Sequence, residues 1–588
     1  MLAASTFSLF VLLANDAATR IRLEPKTAAE FYRLYKSYDL WLPPPNAQLV
    51  RLGSGEDARY EILPSPPGIG VYVPVRGWYG EGVFGRLRMS PAEFSIGLIE
   101  KGDWNGAEDL LFLAAIGQHL GRTEFAAAAF ERARQKSGYL TQSADWEKGS
   151  PGFTSGLLRE RVWSENLSRL ADPRGDREQA RRHLQRVYDE DGQFRSVAKT
   201  QLLEDLSLTL REREPSRDPI ERKIDRLVEW SGTIDARRYS PRLEDPITPY
   251  DEVAQCGFEA VPYLIAHLDD RRLTRSPLTF VFNRLFSQDV CRVGDVCLDL
   301  LKAFAARELR DQGGEQTLSE WRERAGKWFE RAKAVGEEEW YATKAMSEDP
   351  VSLALCRAFA ERYPKRFAAS YKNLLARAPK VYSGNVVIAM AHGRLPKGEK
   401  LDLLTLGAAH ERLEHRLEAV KGLFFLDPGA GRQAIPGYFK RVSAKEADER
   451  YESVLHDEIG LVMAANDASC WQAFRDHFRT CSPTQRVYYV GSSGPVNHGR
   501  PVGEFKRWSQ EIEPLWDDAA VRVLGANQKV QDFAPAYPSL AVADFITLAF
   551  AEELGVAVPT DRNRTAAEWK KVREKVASAL QQASSQSN

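Results

Sequence analysis

His410-Glu-Arg-Leu-Glu-His415 is the stretch with the clearest outward look of chemistry, because imidazoles flanking carboxylates are what a zinc ion needs. A metalloprotease helix sets its histidines at i and i+4, so that both rings face one side. Here they are five apart, which is about 140° around a helix of 3.6 residues per turn. Only His410 and Glu414 share a face, so the stretch is expected to be a solvated charged helix face with no metal at His410, Glu414 or His415. Ser196-Val-Ala-Lys199 has the Ser-x-x-Lys spacing of penicillin-recognising enzymes. The Ser-Asp-Asn and Lys-Thr-Gly partners that such a nucleophile requires are missing; a Gly-x-Ser-x-Gly elbow, a P-loop and a Gly-x-Gly-x-x-Gly turn are read as absent too. The Gly-rich segment Gly491–Gly503 carries His498 and Arg500 beside a backbone that could cradle an anion. No strand leads into it, and it reads as a connecting loop.

Two carboxylates stand out by repetition. Asp295 lies in Val293-Gly294-Asp295 and Asp544 in Val542-Ala543-Asp544, inside a longer set of matched landmarks. The first block runs Leu268-Asp269-Asp270, Arg275, Asp295, then Thr317-Leu-Ser-Glu320-Trp321. The second runs Trp516-Asp517-Asp518, Arg522, Asp544, then Thr565-Ala-Ala-Glu568-Trp569. Carboxylate ligands or acids would be the functional reading of Asp295 and Asp544. Appearing twice favours structure: each pairs with an arginine, Arg275 or Arg522, or caps the helix that follows. Thr317-x-x-Glu320 and Thr565-x-x-Glu568 are capping boxes. Trp321, Ala325 and Trp328, like Trp569, Val572 and Val576, fall on one helical face and are expected in the core.

The elements that must hold these residues are helical almost throughout. The chain has 588 residues, 43% apolar and 28% charged, which supports a sizeable core. Its 81 basic residues against 82 acidic ones leave a net charge of −1, with no excess to neutralise phosphates, so nucleic acid is not the expected partner. The cysteines at 256, 291, 297, 356, 470 and 481 show no CxxC spacing. They are expected to be small buried apolar residues, with Cys291 and Cys297 a candidate pair. Residues 1–19 hold a short apolar run, Phe7–Ala14, with the length of a signal-peptide core but no preceding Lys or Arg. Export and cytoplasmic residence stand equally open, and no transmembrane segment is expected.

Residues 20–89, with Leu42-Pro-Pro-Pro-Asn46 and a Gly/Pro/aromatic stretch, read as an irregular cap. A helix is limited to 27–40, and short strands are expected near 71–73 and 83–84. Ser90-Pro91-Ala-Glu93 opens a helical region spanning 90–250 with a capping box. Residues 107–136 form a helix pair around Gly121, with Leu110, Leu113, Ala126, Phe130 and Ala133 on the apolar faces. Residues 251–336 are the first matched block, 337–490 further helices, 491–503 the loop, and 504–588 the second block with a polar tail. Asp-Pro dipeptides at 172, 218, 245, 349 and 427 suit Asp at N-cap and Pro at N1. Those at 218, 349 and 427 precede clear helical periodicity.

The helix pair at 107–136 resembles tetratricopeptide repeats, in part and over one repeat. Gly257-Phe-Glu-Ala-Val-Pro-Tyr-Leu-Ile-Ala-His-Leu-Asp-Asp270 resembles a HEAT-type repeat. The combination with Pro-Pro-Pro and the Trp-helix block is similar to large repeat proteins of planctomycete-type bacteria, a family that brings no activity with it. The resemblance implies an all-α fold, a right-handed α-solenoid of HEAT-like and tetratricopeptide-like helix pairs. Stacked pairs create a long face for docking. The expected function is a non-catalytic scaffold binding a protein or polysaccharide, without cofactor. The alternative is an enzyme of arched or toroidal helical fold with scattered acid/base residues, acting on carbohydrate.

Overall fold

The structure, a computed structural model, describes residues 27–38, 42, 48–52, 59–63, 72–73, 87–89, 107–140, 159–190 with short gaps, 195–232, 243, 246–277, 290–306, 308–309, 316–345, 352–377, 384–442, 452–482, 486, 547 and 566–586. It is mostly helical. Helix α1, Ala28–Ser37, starts at Thr27, whose hydroxyl accepts the Glu30 N–H at 3.2 Å. Strands β1 (Gln48–Leu52), β2 (Arg59–Leu63), β3 (Tyr72–Val73) and β4 (Leu87–Met89) form an antiparallel sheet in the order β3-β2-β1-β4. This is more sheet than the Gly/Pro punctuation predicts. Arg51, Arg59 and Glu61 interleave β1 and β2 and blunt their apolar signal. Only the strand near 71–73 was legible, and 83–84 lie outside the described residues.

Helices α2 (Ala107–His119) and α3 (Thr123–Leu140) form the expected pair. Gly121 turns between them at φ 72°, a left-handed conformation that costs glycine little. Leu110, Leu113, Ala126, Phe130 and Ala133 are all buried, and Phe31 of α1 meets the Phe130 ring at 5.9 Å. Helices α4 (Arg177–Glu190) and α5 (Val197–Leu210) pack together with Trp163, Leu167 and Leu170.

Short elements follow: α6 (Pro219–Asp225), α7 (Pro249–Ala254) and α8 (Val261–Ala266). Strands β5 (Leu273–Pro277) and β6 (Val290–Arg292) then pair antiparallel, a hairpin the sequence reading did not foresee. Next come α9 (Val293–Phe304), α10 (Leu318–Val335) and α11 (Glu337–Lys344). Helices α12 (Leu353–Arg362), α13 (Pro364–Arg377), α14 (Gly384–His392), α15 (Lys397–Ala408), α16 (Leu413–Leu426), α17 (Pro428–Lys440), α18 (Glu452–Ala465) and α19 (Ala468–Thr480) form a stack, and α20 is Ala566–Gln586.

Packing in that stack is regular. From α11 to α19 each helix meets the next but one: α11 on α13, α13 on α15 and α15 on α17, with α12 on α14, α14 on α16 and α16 on α18. One apolar cluster runs from Ile224 to Leu423. A second joins Leu413–Cys481 to Trp569, Val572 and Val576 of α20. Asp218 and Asp427 cap α6 and α17 with Pro next in line, as the dipeptides predict. Asp349 lies outside the described residues, and α12 opens at Ser352, whose Oγ accepts the Leu355 N–H at 3.1 Å. All six cysteines are buried and free, Cys291 and Cys297 among them. Among the described residues no helix is long and apolar enough to cross a membrane.

Candidate functional site

The densest assembly of charge surrounds the turn and strand at 269–276. Its local cause is the run Asp269-Asp270-Arg271-Arg272, followed by Arg275. The turn's carbonyls close the start of α9. Asp270 O accepts the Gly294 N–H at 3.0 Å and Arg272 O accepts the Val293 N–H at 2.8 Å, satisfying helix donors that have no partner of their own. Gly294 is required for this approach, since a Cβ there would stand 2.6 Å from Leu268 O. Asp295 completes the cap by accepting the Arg292 N–H at 2.8 Å. Asp295 is thus the third residue of α9 and caps its own helix.

The side chains of the turn reach outward to four other segments. Asp269 pairs with Arg322 of α10 at 2.7 Å. Arg272 grips Asp270 with Nε and Nη2 and donates to Asp225 of α6 at 2.6 Å. Arg271 Nε and Arg292 Nε converge on the fully buried carboxylate of Asp205 in α5, at 2.6 and 2.7 Å. Arg275 donates to Glu229 at 2.6 Å and to the Asp172 and Gly175 carbonyls. Of the two roles envisaged for Asp295, pairing with Arg275 or capping the helix that follows, Asp295 takes the second, and Arg275 pairs with Glu229.

Glu229 also holds Arg177 at 3.0 Å; burial, opposed by Glu229 and reinforced by Arg275, brings that guanidinium down to about 10. Burial works against the Asp270 charge. The hydrogen bonds from His267 and Arg272 outweigh it and hold the carboxyl well below the usual carboxylate range.

Beside this network an open cleft of about 460 Å³ lies along α4 and α5, lined among others by Gln185, Tyr188, Thr200, Glu204, Ser207 and Arg271. Its volume is within the range of small-ligand sites. Tyr188 Oη bonds Thr200 Oγ1 at 2.7 Å, and Arg271 Nη2 bonds Glu204 at 2.8 Å, so the polar groups along it hold one another. Among the described residues that line it, Glu204 is the lone carboxylate and none is a histidine.

The other sequence candidates fall elsewhere. Ser196 is the N-cap of α5, its Oγ accepting the Lys199 N–H at 3.2 Å, so the Ser-x-x-Lys spacing is a helix start. His410 precedes α16, which begins at Leu413, so the helical wheel drawn through both histidines does not apply. The turn brings the two rings together, centroids 4.6 Å apart. His410 Nε2 bonds the Leu375 carbonyl at 3.1 Å and its Nδ1 accepts the Arg412 N–H at 3.0 Å, which occupies both nitrogens with backbone. Among the described residues no group of three or more His, Cys, Asp or Glu could hold a metal ion.

Trp321 and Trp569 are 6% and 4% exposed on α10 and α20. Lys302 and Arg324 lie over the Trp321 ring, each 4.7 Å from its centroid. Thr317 and Glu320 form their capping box; Thr565, Arg522, Asp544, Ser90–Glu93 and the loop 491–503 lie outside the described residues. The Gly-x-Gly-x-x-Gly spacing of a dinucleotide loop, read as absent from the sequence, is present at Gly80-Glu-Gly82-Val-Phe-Gly85, which corrects that reading. Strand β4 follows it at Leu87, where that loop needs a helix.

Asp205, Glu221, Asp225, Glu229 and His267 are among the members of the network that sequence reasoning missed. The charged run at 269–272 was their only local signal. Comparison with protein-family models, with curated proteins and with solved structures finds no match.

Proposed function

We propose that the protein is a non-catalytic scaffold of the α-solenoid class, binding a protein or polysaccharide along the faces of its helical stack. The observation that carries this reading is the next-but-one packing from α11 to α19. Helices that alternate between two layers bury their inner faces on each other and leave an outer face on each layer for a partner. The charges of the densest polar region support the same reading, because they bond each other and backbone groups at the junction of elements. Leu406 of α15 and Phe425 of α16 are 52% and 37% exposed, and they stand on different layers of the stack.

The test combines a panel of purified polysaccharides in affinity electrophoresis with crosslinking to candidate protein partners, using wild type, Leu406→Glu and Phe425→Glu. Retention of one partner, weakened by one of the two variants while the unfolding midpoint is unchanged, is the expected result and identifies the docking layer. Turnover of a polysaccharide by the purified protein, abolished by a single carboxylate or histidine substitution, replaces the scaffold reading with an enzymatic one.

A further inference from the structure

His267 follows α8 directly and begins the turn that ends at Asp270. Its Nε2 stands 2.8 Å from Glu221 Oε2 and its Nδ1 3.1 Å from Asp270 Oδ2. A neutral imidazole has one N–H and one lone pair, whereas an ionised carboxylate only accepts. Two carboxylates facing the two ring nitrogens are satisfied together only by the imidazolium. Glu221 belongs to α6, and Asp270 to the turn that caps α9. We propose that His267 is a proton-operated clamp tying α6 to the capping turn of α9, closed while the ring carries both protons and loosened when it carries one.

The surrounding charges are otherwise engaged. On α6, Asp218 accepts from Tyr263 at 2.9 Å and from the helix start, Asp225 takes Arg272, and Arg222 donates to the Ser216 and Arg217 carbonyls. On the turn, Asp269 holds Arg322 of α10. On α9, Asp295 caps Arg292, and burial, with Asp270 next, pushes the Cys297 thiol up, so it stays neutral. Asp270 keeps the two-pronged grip of Arg272 whatever the ring does. A ring with a single N–H serves one carboxylate and turns a lone pair on the other, so the Glu221–His267–Asp270 bridge cannot stay intact.

The hydrogen bond to Asp270, against the cost of burial and with Glu221 behind it, raises the imidazole above its ordinary value. The clamp is thus fully closed below about 6.5 and opens as pH rises through the folded-state value.

The experiment follows the His267 ring by nitrogen and carbon NMR, assigned by its loss in His267→Gln, and follows amide exchange of residues 219–225 between pH 6 and 9. The expected result is a doubly protonated ring at pH 6. With it, local opening of 219–225, after correction for intrinsic exchange, rises by up to about tenfold per pH unit through the titration. In Glu221→Gln, whose amide can serve a neutral ring, that rise is lost. A ring already neutral at pH 6, or the same rise in Glu221→Gln as in wild type, overturns the clamp. If His267→Gln does not fold, the exchange comparison between wild type and Glu221→Gln decides alone.

Discussion

The network around 269–276 and the stack from α11 to α19 hold the chain together by different means. In the stack, neighbouring helices are joined through two adjoining apolar clusters, and each helix meets the next but one. In the network, each charged group has a named partner on another element: Asp205 for Arg271 and Arg292, Glu229 for Arg275 and Arg177, Glu221 for His267. Apolar burial is strong and non-directional; hydrogen-bonded ions contribute less net energy but tolerate one geometry. The stack therefore supplies most of the stability, and the network fixes how the helices on either side of β5 meet it. Their responses to substitution should differ accordingly.

The largest loss is expected from a cavity in the stack. Phe359 of α12 is fully buried, with its ring edge-on to Phe367 at 5.4 Å. Phe359→Ala should cost about 3–5 kcal/mol in urea unfolding. A loss under about 1 kcal/mol there would mean that the stack is not the stabilising region. One ion pair inside the apolar cluster sharpens the contrast. Arg357 of α12 pairs with Asp251 of α7, with side chains 2% and 1% exposed. Arg357→Met strands a buried carboxylate and should cost about 3–5 kcal/mol. Adding Asp251→Leu should recover much of that, although the capping box with Thr248 is lost too. If the double variant is no more stable than the single one, the ion pair is not replaceable by packing.

A smaller loss is expected in the network. Asp205→Ala removes the shared acceptor of two guanidiniums, but Arg271 and Arg292 are 39% and 29% exposed and can turn to water. About 1.5–3 kcal/mol is the expected cost, with the larger change in amide exchange along β5 and β6. Equal effects in the stack and the hairpin would erase the distinction drawn between directional and non-directional contacts.

The network also has a pH signature. Burial opposes the Asp270 charge, but the bonds from His267 and Arg272 depress its proton affinity further than burial raises it. A depressed carboxyl contributes stability above its unfolded value of about 3.9, and that contribution is lost as pH falls towards the folded value. Wild type should therefore lose stability on the acid side, and Asp270→Asn should flatten that limb. An unchanged acid limb would assign the loss to other carboxylates.

The stack was legible because its cause is local. The spacing of Leu413, Leu417, Val420 and Leu423 announces α16, and Asp427-Pro428 announces the start of α17. The partners in the network were not legible. Arg275 and Glu229 are 46 positions apart, Asp205 and Arg292 87, and nothing beside Arg275 favours Glu229 over Asp295. The matched blocks show the same limit. In the first block Gly294 admits the Leu268 carbonyl only for want of a Cβ. The second block has Ala543 at that place, outside the described residues. Matched landmarks in a sequence leave the distance between elements open.

The smallest effect is expected where a charge pair belongs to neither region. Lys327 and Glu323 sit one turn apart on α10, with side chains 67% and 64% exposed. In water their attraction is weak, holding two long side chains in one geometry costs entropy, and salt screens what remains. A double-mutant cycle on Lys327→Ala and Glu323→Ala should give a coupling of about 0.3–0.5 kcal/mol, falling further in 1 M salt. The same cycle on Arg272 and Asp270, whose side chains are 6% and 9% exposed, should give the larger coupling and the weaker salt dependence. Burial is the variable that differs between the two pairs. If the exposed pair on α10 couples as strongly as the buried one, desolvation does not set the strength of the network, and its geometry would owe more to the packing of α6, α8 and α9 around it than to its own bonds.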